Sequence, residues 1–565
     1  MNVLFMEKKV NFDLKTPLAV ISLTLVFIGL WFIEKGSSIF DGRKIYSLFD
    51  DAMISLTYAR NLAQGYGLVW NPGDSPVEGY SNPLWTLWMA FLHLGPWTGD
   101  TIGFVVSLSG LVILITNVWV VAKIAGDFLS KTKVSILGSA CLIAFSYPLL
   151  FWTLRGMEVG LLCLLVNGIT LALFSYYKSF SKTSLTLLTA LLFLAVATRI
   201  DACIISIPIL VFSLQSKNTS LIKAALFSIL LGLIIPLALM TLARIEYYGE
   251  ALPNTYTLKM VGVTFLERWE RGFWTLGESI GFYLGPFLFG LAYLVLSRAC
   301  SDPRLTYLFF KFIIFIAYSV HVGGDAWEWS GILNRFSCIG LGAGCILLSF
   351  AIEDFWKKLL SHTKRHQLFT FLVALSFLLV IAISSGTHFK KLFWERPFQV
   401  ERDLIQTSLG IQFQKTAPST SVVGVFSAGS FCYFSHLKCV DFLGKSDRHV
   451  AKLKPKSKFI PGHNKWDLRF TVSSYHPTFI IGIYAEDLLN TFFRNESSFQ
   501  YDLINESIWV SSNLNQKYKL KDCCNMNPEA FSDPALDKAV SIKTKLEATG
   551  PGLQLKYFFK KLFLS

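Results

Sequence analysis

Residues 50–67 read DDAMISLTYARNLAQGYG. From Leu48 onward apolar residues fall at 48, 52, 56, 59, 62 and 63, which is helical spacing, and Gly65 and Gly67 stop the helix. Asp50 and Asp51 therefore occupy its first turn. An acid at a helix start caps free N–H groups and complements the dipole. Two in a row, placed shortly after an apolar run of bilayer length (PLAVISLTLVFIGLWFI, 17–33), are more than one cap requires.

That apolar run belongs to a pattern. The 565 residues are 53% hydrophobic and 15% aromatic with only 16% charged, and the mean hydropathy is +0.48. These values lie outside the soluble range and predict a polytopic membrane protein. Lys8, Lys9 and Lys15 precede the first run and no A-x-A-like cleavage site follows it, so it reads as a retained first helix rather than a signal peptide. Ten further runs of spanning length lie near 101–123, 134–152, 159–177, 183–198, 202–215, 221–243, 274–297, 304–320, 332–351 and 368–385, about eleven crossings in all. With the N-terminus inside, the inner loops collect the basic residues, among them Lys123, Lys133, Lys178, Lys223, Arg304, Lys311, Lys357 and Lys358. Residues 34–100, the loop at 244–273 and everything after about 386 then lie on the far side. NPLWTLWMAFLHLGP (82–96) is short and Trp-rich, and reads as an interfacial helix.

The expected architecture is thus an all-α membrane bundle over residues 1–385, followed by a far-side α/β domain over 386–565. In that tail SVVGVFSAGSF (421–431) and PTFIIGIYAEDLL (477–489) read as strand–turn–helix units. The formal charge of +14 is spread over inner loops and tail and is no nucleic-acid signature; the densest basic run, Lys452 to Lys458, reads first as a solvated loop, with contact to lipid headgroups or an acidic acceptor as the alternative. Six cysteines (Cys141, Cys163, Cys203, Cys300, Cys338, Cys345) lie in or beside spans as packing residues. Cys432, Cys439, Cys523 and Cys524 fall in the tail, where one or two disulfides are expected with the pairing open.

The loop VWNPGDSPVEGYSNPLW (69–85) sets Glu78, Tyr80 and Asn82 between prolines, an ordered turn-rich segment. The run from Asp50 to Trp85 as a whole looks like the first outside loop of the bacterial GT-C glycosyltransferases, enzymes that take sugars from polyprenyl-phosphate carriers. RGMEVGLL (155–162), TRIDA (198–202), YYGEALPNTYTLK (247–259), HVGGDAWEWSGILNRF (321–336), VDFLGKSDRHV (440–450) and GHNKWD (462–467) continue the likeness in order. It is similar above all to the terminal β-(1→2)-arabinofuranosyltransferase type. Arg155, and the crowded Trp327, Glu328 and Trp329, depart from the family pattern.

The resemblance implies a catalytic base at Asp50 or Asp51, a second acid at Glu158, and donor-phosphate contacts at Lys259 and Arg335. Substrate-binding candidates beside them are Glu78, Tyr80, Asn82, Arg199, Asp201, Asn254 and Asp325; His463, Lys465 and Asp467 in GHNKWD look exposed and polar enough to bind an acceptor, with a plain surface loop as the other reading. Structural readings stand beside these: a Glu158–Arg155 helical pair, an Arg199–Asp201 ion pair, and Trp327 and Trp329 in the aromatic belt. The implied partners are a polyprenyl-phosphate-linked sugar, an envelope glycan or glycolipid acceptor and membrane lipid, with the protein a multi-pass one of the bacterial inner membrane. No cofactor is required; a divalent metal on Asp50, Asp51 and Glu158 is the alternative means of neutralising a leaving phosphate.

Physical reasoning supports the arrangement. The sequence has no Gly-rich strand–helix fingerprint for a nucleotide sugar, so a far-side site needs a lipid-linked donor. A carboxylate removes the proton from the attacking hydroxyl and fixed cations stabilise the departing phosphate. A transporter would place acids at mid-membrane in inverted repeats, and a non-catalytic assembly factor would need no acid–cation pairing.

Overall fold

In lipid each backbone polar group must be satisfied within its own segment, so apolar runs of this length fold as helices. The computed structural model describes residues 14–129, 132–297, 302–360, 366–483, 485–505 and 507–513. Among them six helices are long and apolar enough to cross a membrane: Lys15–Lys35, Ile102–Leu129, Val159–Ser179, Thr219–Tyr248, Phe265–Leu296 and Pro303–Val322. A seventh candidate is the pair Lys133–Ala144 and Tyr147–Leu154, bent by 44° where Pro148 opens the second helix. Lys182–Thr198, Ile200–Gln215 and Gln367–Ala382 are apolar but shorter. Each of the eleven expected runs contains a helix, and among the described residues six or seven helices are of crossing length.

Two expectations change. The span expected at 332–351 begins only at Leu341; before it Asn334 caps a single turn, Arg335–Cys338, by accepting from Ser337 N at 3.1 Å. Lys311 is no loop charge. It lies in the Pro303–Val322 helix, fully buried, with Nζ donating to Val166 O (3.2 Å), Asn167 Oδ1 (2.8 Å) and Thr170 Oγ1 (2.8 Å).

After the first helix the chain forms an antiparallel hairpin, β1 (Ser37–Phe40) and β2 (Arg43–Tyr46), turned by Asp41 and Gly42 at φ 50° and 72°. The aspartate helix follows, Asp50–Ala63, and Gly65 and Gly67 both adopt φ 86° beyond its end. Pro83–His93 is an 11-residue helix, about 16 Å long and too short to cross. It leaves Leu87, Trp88 and Phe91 exposed.

The expected domain boundary at 386 falls inside the helix His366–Phe393, and the first helix beyond that one is Val400–Thr416. The domain holds a five-stranded sheet ordered β4-β3-β5-β7-β6, with β3 Val422–Val425, β4 Lys438–Asp441, β5 Phe479–Ile481, β6 Tyr501–Asn505 and β7 Ile508–Ser511. β3 runs parallel to β4 and β5; the β5–β7 and β7–β6 pairs are antiparallel. A disulfide joins Cys432 to Cys439, while Cys523 and Cys524 lie outside the described residues.

The domain buries the aspartate helix against the bundle. Ile54, Tyr58, Trp70 and Tyr80 share one apolar cluster with Phe413, Val423, Phe431 and Phe479. Around it Trp70 Nε1 and Asn71 Nδ2 donate to Cys439 O at 3.1 and 3.0 Å. On the other side Arg155 donates to Ser47 O (2.8 Å) and Leu48 O (3.0 Å) and pairs with Asp403 at 2.5 Å. The residue that departs from the family pattern thus clamps the chain just before Asp50, and it pairs with Asp403, not Glu158.

Candidate active site

Consecutive residues on a helix point about 100° apart, and this separates the two aspartates. Asp50 Oδ1 accepts from Gly429 N (3.2 Å) and Ser430 N (3.1 Å), the free amides that open the helix Ser430–Ser435. Burial raises its pKa, with Lys445 and Arg402 opposing. The backbones approach so closely here that a Cβ on Gly429 would lie 2.1 Å from Asp50 O. Neither aspartate caps its own helix; Asp50 caps another one and fastens the domain to it.

Asp51 faces cations instead. Its Oδ1 accepts from Lys445 Nζ at 2.6 Å and its Oδ2 from Arg335 Nη2 at 3.1 Å. Arg335 also donates to Asp325 Oδ1 at 2.9 Å and places Nε 2.7 Å from Asp325 Oδ2. Burial alone would raise the Asp51 carboxyl, but Lys445 and Arg335 outweigh it and hold the group far below the usual carboxylate range. Burial opposes the charge on Lys445 as well, and Asp51 and Asp50 more than restore it, so its pKa is raised.

Lys259, in the last turn of Asn254–Met260, lies in the field of the same groups. Burial first, then repulsion from Arg335, push its ammonium down to about 8 against the pull of Asp325 and Asp51. Among the described residues it has no hydrogen-bond or ion-pair partner. The cluster therefore sets three cations against two carboxylates and keeps one cation unengaged.

A second network adjoins it. Glu158, buried, accepts from Arg199 Nη1 and from Asn82 Nδ2, both at 2.8 Å. Arg199 also grips Asp201, Nη2 to Oδ2 at 2.7 Å, and Tyr318 donates to the same oxygen at 3.0 Å. The charge of Arg199 reaches Lys259, so Asn82, Glu158, Arg199 and Asp201 form the floor beside the Asp51 cluster.

Other residues singled out from the sequence have different duties. Glu78 pairs with Arg244 at 2.5 Å and is buried; Tyr80 and Tyr248 share a hydroxyl–hydroxyl bond of 2.9 Å. Asn254 Nδ2 donates to Gly444 O and Lys445 O, both at 2.9 Å. Asn254 thus holds the turn that presents Lys445, while Glu78 and Tyr80 are spent on Arg244 and Tyr248. Gly79 belongs with Asn254, because a Cβ there would sit 2.3 Å from Ser446 Oγ and 3.1 Å from Lys445 O.

GHNKWD, expected as an exposed acceptor loop, is mostly interior. Lys465 is fully buried and donates to Val261 O and Ala451 O at 2.8 Å, at the C-terminal end of Asn254–Met260, where a cation suits the helix dipole. Asp467 caps Leu468–Tyr475 through Phe470 N (3.0 Å) and pairs with His449 at 3.2 Å. His463 alone borders the site. Its ring lies 5.5 Å from Trp327, edge to face, with Nδ1 3.0 Å from Pro461 O, and burial together with Lys445 pushes its pKa down to about 3. Trp327 is not in the aromatic belt: it is buried in the site wall, 5.5 Å from Phe49. The Trp329 side chain lies outside the described residues.

Sequence reasoning missed Lys445 as a site residue. Its signal was present in VDFLGKSDRHV, a lysine directly after a glycine that takes φ 82°. As for a metal, no three of His, Cys, Asp and Glu converge among the described residues. Asp50, Asp51 and Glu158 each have separate partners, and the cations around Asp51 would repel another.

Comparison with known proteins addresses the fold. Two solved structures resemble the chain: ArnT from Cupriavidus metallidurans in the apo state, with TM-score 0.55 at 12% identity over 88% of this chain and 98% of that one, and ArnT from the same organism bound to undecaprenyl phosphate, with TM-score 0.52 at 11% identity over 87% and 97%. At such identities the likeness concerns the fold alone. Residues 398–527, which include the five-stranded sheet, match a family described as a domain of unknown function, DUF8728. No curated protein matches the chain.

Proposed function

We propose that the chain is an integral-membrane, inverting glycosyltransferase of the GT-C kind. It moves a sugar from a polyprenyl-phosphate donor to an envelope glycan or glycolipid, at the extracytoplasmic face of the bacterial inner membrane. One observation carries the reading: a single carboxylate, Asp51, is bracketed by Lys445 at 2.6 Å and Arg335 at 3.1 Å, with the unpartnered Lys259 beside them. A solved protein of similar fold was crystallised with undecaprenyl phosphate, the class of lipid this cradle suits. The ordered motifs favour the terminal β-(1→2)-arabinofuranosyltransferase type, and the basic-residue pattern favours eleven crossings with the N-terminus inside.

The geometry gives each group a task. In the resting site Asp51 is a poor base, because two cations hold its electron pairs. An arriving phosphodiester offers its own oxygens to Lys259 and to the bidentate fork of Arg335. Drawn onto phosphate, the cations loosen their grip on Asp51, whose basicity rises as the donor binds. Asp51 then takes the proton of the acceptor hydroxyl as that oxygen attacks the anomeric carbon, and the carbon–oxygen bond to the lipid phosphate breaks. The negative charge gathered on the leaving phosphate falls on fixed cations that need no reorganisation. One displacement with one base inverts the anomeric centre.

Mass spectrometry of envelope glycans and glycolipids in a deletion strain, complemented with wild type or Asp51→Asn, tests the proposal. A glycan unit missing in the deletion should return with wild type only. Unchanged glycans in the deletion strain would refute it.

A further inference from the structure

We infer that a cleft at the other end of the aspartate helix binds a carboxylated sugar unit of the acceptor glycan, an inference that rests on the transferase reading. The cleft encloses about 220 Å³ between the helix end, the 66–72 loop and the disulfide loop, with Arg60, Gln64, Tyr66, Trp70, His436 and Lys438 in its wall. Arg60 lies nine residues from Asp51, about 13 Å along the helix axis, so the cleft is separate from the Asp51 cluster.

Arg60 is the reason to expect an anion. It is only 8% exposed, and no carboxylate pairs with it among the described residues. Its Nη1 donates to Tyr433 O at 2.6 Å and to His436 Nδ1 at 3.2 Å, and its Nε reaches Asn61 Oδ1 at 3.5 Å. Nη2 makes no hydrogen bond among the described residues, and the guanidinium lies over the Tyr433 ring, 4.9 Å from its centroid, a contact that softens but does not neutralise its charge. A buried guanidinium without a counter-charge is costly unless something anionic completes it.

His436 complements it. Arginine only donates, so Nδ1 of His436 accepts and its proton sits on Nε2, a second donor. Burial and Arg60 push this imidazole down to about 4, which keeps it neutral. The Cys432–Cys439 disulfide staples the loop that carries His436 and Lys438. Lys438 adds positive charge at the rim, shared with Asp74 at 2.5 Å.

The remaining wall is suited to a sugar rather than to a bare anion. Tyr66 is 57% exposed at the rim, an aromatic face for the C–H side of a pyranose, while the buried Trp70 closes the wall behind it, and Gln64 offers an amide for ring hydroxyls. Charge-assisted bonds from Arg60 and His436 would take the carboxylate.

Full-length protein in lipid nanodiscs, titrated by tryptophan fluorescence with glucuronic acid, glucose or inorganic phosphate, tests the assignment. Glucuronic acid should bind saturably, glucose and phosphate about tenfold more weakly or worse, and Arg60→Gln should weaken glucuronic acid by about tenfold while Asp51→Asn leaves it unchanged. Equal binding of glucose or phosphate, or an unaffected Arg60→Gln, would overturn the inference. Should Arg60→Gln fail to fold, Tyr66→Ala at the exposed rim decides it, with unchanged affinity refuting a sugar site. A chain that binds glucuronic acid but transfers nothing sinks the transferase reading; one that transfers without binding it sinks only this inference.

Discussion

Replacing Asp51 by Asn removes one negative charge and leaves shape almost unchanged. The carboxylate spends both oxygens on cations, Lys445 at 2.6 Å and Arg335 at 3.1 Å, and its side chain is 14% exposed. Asn keeps one acceptor oxygen, so the loss of stability should stay near that of a charge-assisted bond, about 1.5–3 kcal/mol, and the protein should still fold. Chemistry should suffer more: loss of a positioned general base lowers turnover by about 10²–10⁴-fold. Donor binding should move the other way, because Arg335 and Lys445 no longer have Asp51 competing with phosphate. In nanodiscs, transfer to a native acceptor extract and equilibrium binding of radiolabelled undecaprenyl phosphate would be measured side by side. Turnover within about threefold of wild type would show that another group takes the proton, and weakened lipid binding would refute the competition between Asp51 and phosphate.

Three further outcomes follow from the same contacts. Lys259 is charged below about pH 8 and neutral above it, so kcat/KM for the donor should fall as pH rises through about 8; Lys259→Arg should abolish that limb, and a flat profile in wild type would contradict it. Gly429→Ala places a methyl 2.1 Å from Asp50 O and should undock the domain, seen as faster proteolysis after residue 400 and loss of transfer, whereas Gly277→Ala, with open space around a helical glycine, should leave docking intact. Arg155→Met strips the counter-charge from Asp403 in a pair only 3% and 2% exposed; it should cost about 3–5 kcal/mol, and adding Asp403→Leu should restore part of the thermal midpoint, since the second change removes the stranded acid.

Local patterns were legible in the sequence. Apolar spacing fixed the helix from Asp50 to its glycine stops, the apolar runs gave helices, and β3 and β5 with the helices after them lie where alternation and turns placed them. What the sequence concealed is which way side chains face once distant pieces meet. Asp51 and Lys445 are 394 residues apart, so no window could pair them or divide Asp50 from Asp51. GHNKWD looked polar because it is polar; the carbonyls that consume Lys465 come from 261 and 451. Lys311 misled for the same reason, its charge absorbed by Val166, Asn167 and Thr170 inside the bundle. The run at 332–351 begins late because Asn334 turns the chain before Leu341, a local cap within a stretch that reads as continuous grease.

The lysine that reaches Asp51 sits on a turn of the sheet domain, 394 residues further along the chain than its partner. Until the sheet domain has been synthesised and has folded onto the Asp50–Ala63 helix, a nascent chain holds an incomplete cradle. On the proposed function, competence would then be withheld from every partial product of the ribosome, and unfinished copies in the membrane would neither consume lipid-linked sugar nor misplace it.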